Sequence, residues 1–188
     1  MVSAAWWRKS PKKMPLCGPL ACAIALSGIM QVGCTKSANA RNSFNELIPA
    51  TSRTLASDFT VSDIQGHRIT LSQYRGHVVL LDFWATTCGG CKVEIPWYVE
   101  FDKRYRDKGL ILVGISVNEE NVPDVRRFIT NWHMEYPVAL GSDALVRQYG
   151  VRELPLTYLI DRTGRIAMSH AGVVDKARFE SEIRELLR

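Results

Sequence analysis

The chain has 188 residues, enough for one domain of ordinary size preceded by a leader. Its formal charge of +5 misleads, because residues 1–40 hold Arg8, Lys9, Lys12, Lys13 and Lys36 and no acid; taking these five from 24 basic residues leaves 19 against 19 acidic ones. The neutral remainder argues against a nucleic-acid partner, and with Cys17, Cys22 and Cys34 in the leader, Cys88 and Cys91 are the domain's only cysteines.

Arg8, Lys9, Lys12 and Lys13 precede an apolar run from Leu16 to Val32, interrupted by Ser27 and Gln31. Residues 1–40 therefore read as an export signal or a membrane or lipid anchor, which puts the domain on the extracytoplasmic, periplasmic side. Val32-Gly33-Cys34 resembles the end of a lipobox and makes Cys34 a lipidation candidate, although Gln31 stands where Leu is usual. Ala38-Asn39-Ala40 is a small-x-small site for ordinary cleavage, and a retained helix is the third fate. Residues 41–57 are polar and read as a linker, so the domain is expected over 58–188.

Phe59-Thr60-Val61 and Arg68-Ile69-Thr70-Leu71 alternate around a turn at Gln65-Gly66, the pattern of a β-hairpin, and Ser72–Gly76 follows as a short helical turn. Val78–Phe83 is an apolar run that reads as a buried central strand. Beyond Trp84-Ala85-Thr86-Thr87-Cys88-Gly89-Gly90-Cys91, the residues Val93, Trp97, Phe101 and Tyr105 recur every four positions, predicting one buried helix face, and Gly109 closes the helix. Leu110–Val117 is a second buried strand, parallel to the first. Residues 118–150 insert a helix (122–132), a strand (137–140) and a helix (143–149). Leu156–Ile160 turns through Asp161–Gly164 into an antiparallel partner, 165–169, and a helix over 175–187 ends the chain. The class is α/β.

Cys88 and Cys91 fall where a buried strand hands over to a helix. Backbone N–H groups and the positive end of the helix dipole stabilise a thiolate there, and a second thiol three residues on can resolve what the first attacks. Half of a zinc site is the competing reading, but no second Cys pair follows, and His133 and His170 are not at ligand spacing. A purely structural disulfide would close a very small loop and gain little.

Asp82-Phe83-Trp84-Ala85 before Cys88-x-x-Cys91, Leu154-Pro155 before a strand and Asp161-x-x-Gly164 resemble the thioredoxin superfamily. The hairpin, the Leu71–Gly76 turn, the 118–150 insertion and Glu94 are similar to its TlpA/ResA-like branch of membrane-tethered thiol–disulfide oxidoreductases, over about residues 57–188. The resemblance implies a thioredoxin-like fold: a central mixed sheet flanked by helices, with an N-terminal hairpin and an inserted α-β-α segment. It also implies reduction of protein disulfides, often on apocytochrome c or copper-site proteins, with electrons from a membrane thiol donor and no cofactor. Cys88 matches the attacking thiol, Cys91 the resolving thiol and Pro155 the cis-proline facing them, with Leu154, Trp84 and Thr87 beside the substrate. Thr87 stands where most relatives have Trp, and Gly90 where most have Pro. Glu153 replaces a frequent Gly.

Two carboxyls compete as the acid/base for Cys91. Asp82 is the one charge in an apolar strand and matches the buried Asp of thioredoxin; a strand-end Asp satisfied by hydrogen bonds is the alternative. Glu94 lies three residues after Cys91 and matches the active-site Glu of the ResA-like branch, and its helical neighbours Gly90, Cys91, Trp97 and Tyr98 offer no ion pair. Glu100, with Lys103 and Arg104 in reach, reads as surface. A thiol peroxidase would need Thr or Ser where Ala85 stands. A copper-delivery module would need one more residue between the cysteines, with His133 or His170 as the distant ligand.

Overall fold

A computed structural model describes residues 46–117 and 121–188. The leader, the Cys34 lipidation site and the first five residues of the expected linker lie outside the described residues.

The sheet is built around β3 (Val78–Trp84), all seven of whose residues are buried. β4 (Leu110–Ser116) runs parallel to it, with Val78 opposite Leu110 and Trp84 opposite Ser116. β6 (Leu156–Ile160) lies antiparallel on its other side, pairing Asp82 with Thr157. β5 (Val138–Leu140) and β7 (Ile166–Ala171) complete a mixed sheet of order β5-β4-β3-β6-β7, and β1 (Thr60–Ser62) and β2 (Arg68–Thr70) form a separate antiparallel hairpin. A strand buried on both faces must be apolar on both, and β3 divides its residues accordingly. Val78, Leu80 and Trp84 meet α1 (Gly89–Tyr105), α2 (Val122–Asn131) and α4 (Lys176–Leu186). Val79, Leu81 and Phe83 meet the hairpin and α3 (Asp143–Gln148). The fold class, the hairpin and the α-β-α insertion are as expected, with element ends shifted by a residue or two.

Two expectations need correction. The buried face of α1 is Cys91, Glu94, Ile95, Tyr98, Phe101, Asp102 and Tyr105, while Val93 is 47% exposed and Trp97 only half-buried. A step of four residues overshoots a full helical turn by about 40°, so three steps from Tyr105 back to Val93 drift by about 120° and leave the core. The face that stays inside alternates steps of three and four.

The second correction concerns 46–57. Ala56 is buried, and the segment is bonded along the β6–β7 hairpin. Ile48 N–H donates to Ala167 O at 2.7 Å, Ile166 N–H to Thr54 O at 2.8 Å and Ala56 N–H to Gly164 O at 3.0 Å. The Arg53 guanidinium reaches Asp161 at 3.0 Å with both side chains mostly buried. Composition hid this docking because backbone donors and acceptors, common to every sequence, carry most of it.

Phe101→Ala is expected to lower stability in urea unfolding by about 3–5 kcal/mol, as for a buried aromatic, while Val93→Ala changes it by less than about 0.5 kcal/mol. Equal losses at the two positions would refute the corrected helix face.

Candidate active site

β3 ends at Trp84, and the chain turns through 85–88 before α1 begins. Cys88 N–H donates to Ala85 O at 3.1 Å, and Lys92 N–H to Cys88 O at 3.3 Å. Cys88 is the N-cap of α1, and its Sγ accepts the Cys91 N–H at 3.1 Å, the role a Ser or Asp oxygen plays at other helix starts. The two sulfurs form a disulfide, S–S 2.07 Å. They are not equivalent: Cys88 is half-buried, whereas Cys91 is 1% exposed and belongs to the core. Cys88 stands at the positive end of the α1 dipole and Cys91 lies behind it in the core.

The Leu154–Pro155 peptide bond is cis, as expected. Pro155 is buried, Leu154 half-buried, and Thr87 and Glu153 are exposed. A Cβ placed on Gly90 would lie 3.0 Å from Pro155 Cδ and 3.1 Å from Val173 Cγ2. Gly90 therefore lets the cis-proline loop and the loop after β7 close directly on the disulfide segment, which is what a missing side chain allows. Val173 itself is 47% exposed, leaving an apolar tip beside the disulfide. Trp84, expected beside the substrate, is fully buried and stacked on Phe128 with ring centroids 4.9 Å apart. It has no surface to offer a substrate and serves the core, because it falls on the β3 face that α2 covers.

Both candidate carboxyls are buried, Asp82 2% and Glu94 1% exposed. Glu94 Oε1 accepts the Val174 N–H at 2.7 Å, and Oε2 lies 3.1 Å from Tyr98 Oη. Tyr98 Oη is 3.0 Å from Thr157 Oγ1, which lies 3.3 Å from Asp82 Oδ1. Burial pushes the Glu94 carboxyl up to about 6, against the lowering effect of its bonds to Val174 and Tyr98. Burial, then the nearby Glu94 charge, pushes Asp82 well above the ordinary carboxylate range. Glu100 is a surface group as read, pairing with Arg104 and Lys176, each at 2.5 Å. Tyr98, Thr157, Val173 and Val174 were not foreseen as site residues. Tyr98 had a legible signal, four residues after Glu94; Thr157 had a weaker one as the polar residue of an apolar strand. The two valines sit in a loop whose position no local pattern fixes.

A dithiol at a helix N-terminus, beside a cis-proline on a mixed sheet of this order, defines a thioredoxin-fold thiol–disulfide oxidoreductase. Residues 53–169 match the AhpC/TSA family. The chain is 30% identical to "Thiol-disulfide oxidoreductase ResA" of Bacillus thuringiensis subsp. konkukian over 132 residues, 70% of this chain and 76% of that protein. It is 30% identical to the ResA of Geobacillus kaustophilus over 146 residues, 77% of this chain and 83% of that one. A thiol:disulfide interchange protein of the thioredoxin family from Chlorobium tepidum superposes with a TM-score of 0.68 at 27% identity, covering 72% of this chain and 97% of that one. The chain belongs to the AhpC/TSA family and, within it, to the ResA-like thiol–disulfide oxidoreductases of the thioredoxin superfamily. Ala85, three residues before Cys88, is buried and carries no hydroxyl for a peroxide.

The unfolded Glu94 carboxyl ionises near 4.5 and the folded one near 6. Between these values the folded state holds a proton the unfolded state has lost, so stability falls as pH rises through this window, with the full deficit of about 2 kcal/mol above it. Glu94→Gln removes that dependence. In urea unfolding of the oxidised protein at pH 4 to 8, the variant is expected to gain on the native sequence by about this amount as pH rises. A constant difference between the two would refute the assignment.

Proposed function

We propose that this protein reduces disulfides of protein substrates outside the cytoplasm, held at the membrane by its N-terminal segment. The observation that carries the reading is the inequality of the two sulfurs: Cys88 half-buried at the helix start, Cys91 buried with Glu94 one turn further on. Cys88 thiolate attacks a substrate sulfur; the substrate S–S bond breaks, a mixed disulfide forms and one substrate thiolate leaves. Cys91, giving its proton to a buried carboxylate, attacks Cys88 Sγ; the Cys88–Cys91 disulfide closes and the second substrate thiolate is released, two electrons having passed to the substrate. Glu94 is the preferred acceptor, because residues three apart on a helix are neighbours. Asp82 has a hydrogen-bond partner in Thr157, so its burial alone does not displace Glu94 from that role. Thr87 directly precedes Cys88 and Pro155 packs at Gly90 between the cysteines; in this reading they and Leu154 serve as the docking edge for an extended substrate segment.

The basic n-region and the Leu16–Val32 run support export, and the ResA-like membership supports a membrane thiol donor and substrates of the apocytochrome c kind. A leader over 1–40 is part of the same proposal. The folded body starts upstream of 58, because the bonds made by residues 48–56 belong to it.

In the reduced protein, alkylation at neutral pH is expected to label Cys88 much faster than Cys91, and a Cys91→Ala variant to accumulate mixed disulfides through Cys88. Equal labelling, or adducts on Cys91 in the corresponding Cys88→Ala variant, would overturn the assignment.

Fractionation with mass spectrometry of the mature N-terminus is expected to place the protein in the envelope, with lipidated Cys34, a start after Ala40 or a retained helix. An intact, cytosolic Met1 would refute the localisation.

A further inference from the structure

Asp82, Thr157, Tyr98 and Glu94 form one buried chain, each of the four at most 2% exposed. Its three contacts are Glu94 Oε2 to Tyr98 Oη at 3.1 Å, Tyr98 Oη to Thr157 Oγ1 at 3.0 Å, and Thr157 Oγ1 to Asp82 Oδ1 at 3.3 Å. Each contact needs one proton between its oxygens. A hydroxyl brings one, and an ionised carboxylate brings none. With both carboxyls ionised, two protons serve three contacts and one pair of oxygens meets lone pair to lone pair. With both protonated, four protons compete for three places. With a single carboxyl proton every contact is filled, and in two ways. Either Glu94 donates to Tyr98, Tyr98 to Thr157 and Thr157 to Asp82, or every donor reverses and Asp82 holds the proton.

We propose that Asp82 and Glu94 share one proton through Tyr98 and Thr157, and that these two hydroxyls relay it from either carboxyl to the other. In the transfer from Glu94 to Asp82, the Glu94 O–H bond breaks as Tyr98 Oη gains that proton. Tyr98 passes its own proton to Thr157, and Thr157 passes its own to Asp82. Both hydroxyls end neutral and the negative charge has moved from Asp82 to Glu94. Tyr98 and Thr157 are positioning residues in this scheme, acting on the sulfur through the carboxyls. Burial raises both carboxyls above the ordinary carboxylate range, the direction a retained proton requires.

Other titratable or charged groups, among the described residues, stand near this chain. Cys91 precedes Glu94 on α1. His170 of β7 is paired with Thr157 across the ladder. Tyr136, ahead of β5, is buried and senses the Asp82 charge. On α4 the Arg178–Glu182 pair, at 3.2 Å, lines a crevice with His170. β4 faces Asp82 with Gly114 and carries no charge there.

The use of this proton in resolving the mixed disulfide rests on the function proposed above; the sharing itself is measurable on the oxidised protein, where no exchange occurs. The experiment is a carbon-13 NMR titration of the Asp82 and Glu94 side-chain carboxyls from pH 4 to 10. In the native sequence both carboxyl resonances are expected to move at the same two inflections. In Tyr98→Phe and in Thr157→Val each carboxyl is expected to keep one inflection of its own, whereas Thr157→Ser, which restores the hydroxyl, keeps the shared pattern. Independent single-step titrations in the native protein would overturn the proposal without any variant. A shared pattern that persists in Tyr98→Phe or Thr157→Val would also overturn it, by assigning the coupling to charge repulsion alone. A wrong assignment of Cys88 and Cys91 would leave these titrations unchanged, so the two readings fail separately.

Discussion

The structure depends on the complete burial of β3. Seven consecutive residues, Val78–Trp84, are covered on both faces, so the strand can neither slip nor bend without exposing apolar surface or stranding backbone hydrogen bonds. Its fixed end delivers Cys88 to the N-terminus of α1, and its fixed register sets Asp82 opposite Gly114 on one side and Thr157 on the other. The redox pair and the buried acid are thus two consequences of one strand position.

Burying two carboxyls on one side of that strand is costly, since an ionised carboxylate without partners in a core loses several kcal/mol of hydration. Among the described residues, the partners that meet this are hydroxyls and a backbone N–H rather than a counter-ion. Thr157 stands opposite Asp82 as a cross-strand neighbour, Tyr98 lies one turn from Glu94, and the loop after β7 brings the Val174 N–H to the other Glu94 oxygen. Partners of this kind satisfy lone pairs without supplying charge, so the carboxyls stay proton-hungry, which an acid/base near neutral pH requires.

The loop after β7 links the acid to the sulfurs. Val174 bonds Glu94, while its neighbour Val173 rests over Gly90 between the two cysteines, together with the cis-proline loop. Any displacement of that loop is felt both at the carboxyl and at the disulfide. With no side chain at Gly90, Pro155 Cδ and Val173 Cγ2 approach to within 3.0 and 3.1 Å of the point a Cβ would occupy.

Local patterns were enough for much of this. The apolar run of β3, the turn glycines, the parallel and antiparallel strand pairs, and the Cys88–Cys91 pair at a helix start are each written within a few residues, because hydrogen-bond period and side-chain alternation are local properties of the chain. Glu94 and Asp82 were legible as chemistry, each being an acid in an apolar setting. Other features required the folded molecule: the true buried face of α1, the docking of 46–57 on the β6–β7 hairpin, Trp84 in the core rather than at the substrate edge, and the chain from Glu94 to Asp82. The middle link of that chain, Tyr98 to Thr157, joins residues 59 apart. No spacing rule encodes such a contact, because its geometry is set by how α1 packs on β6, and that packing is decided by the summed burial of the whole core.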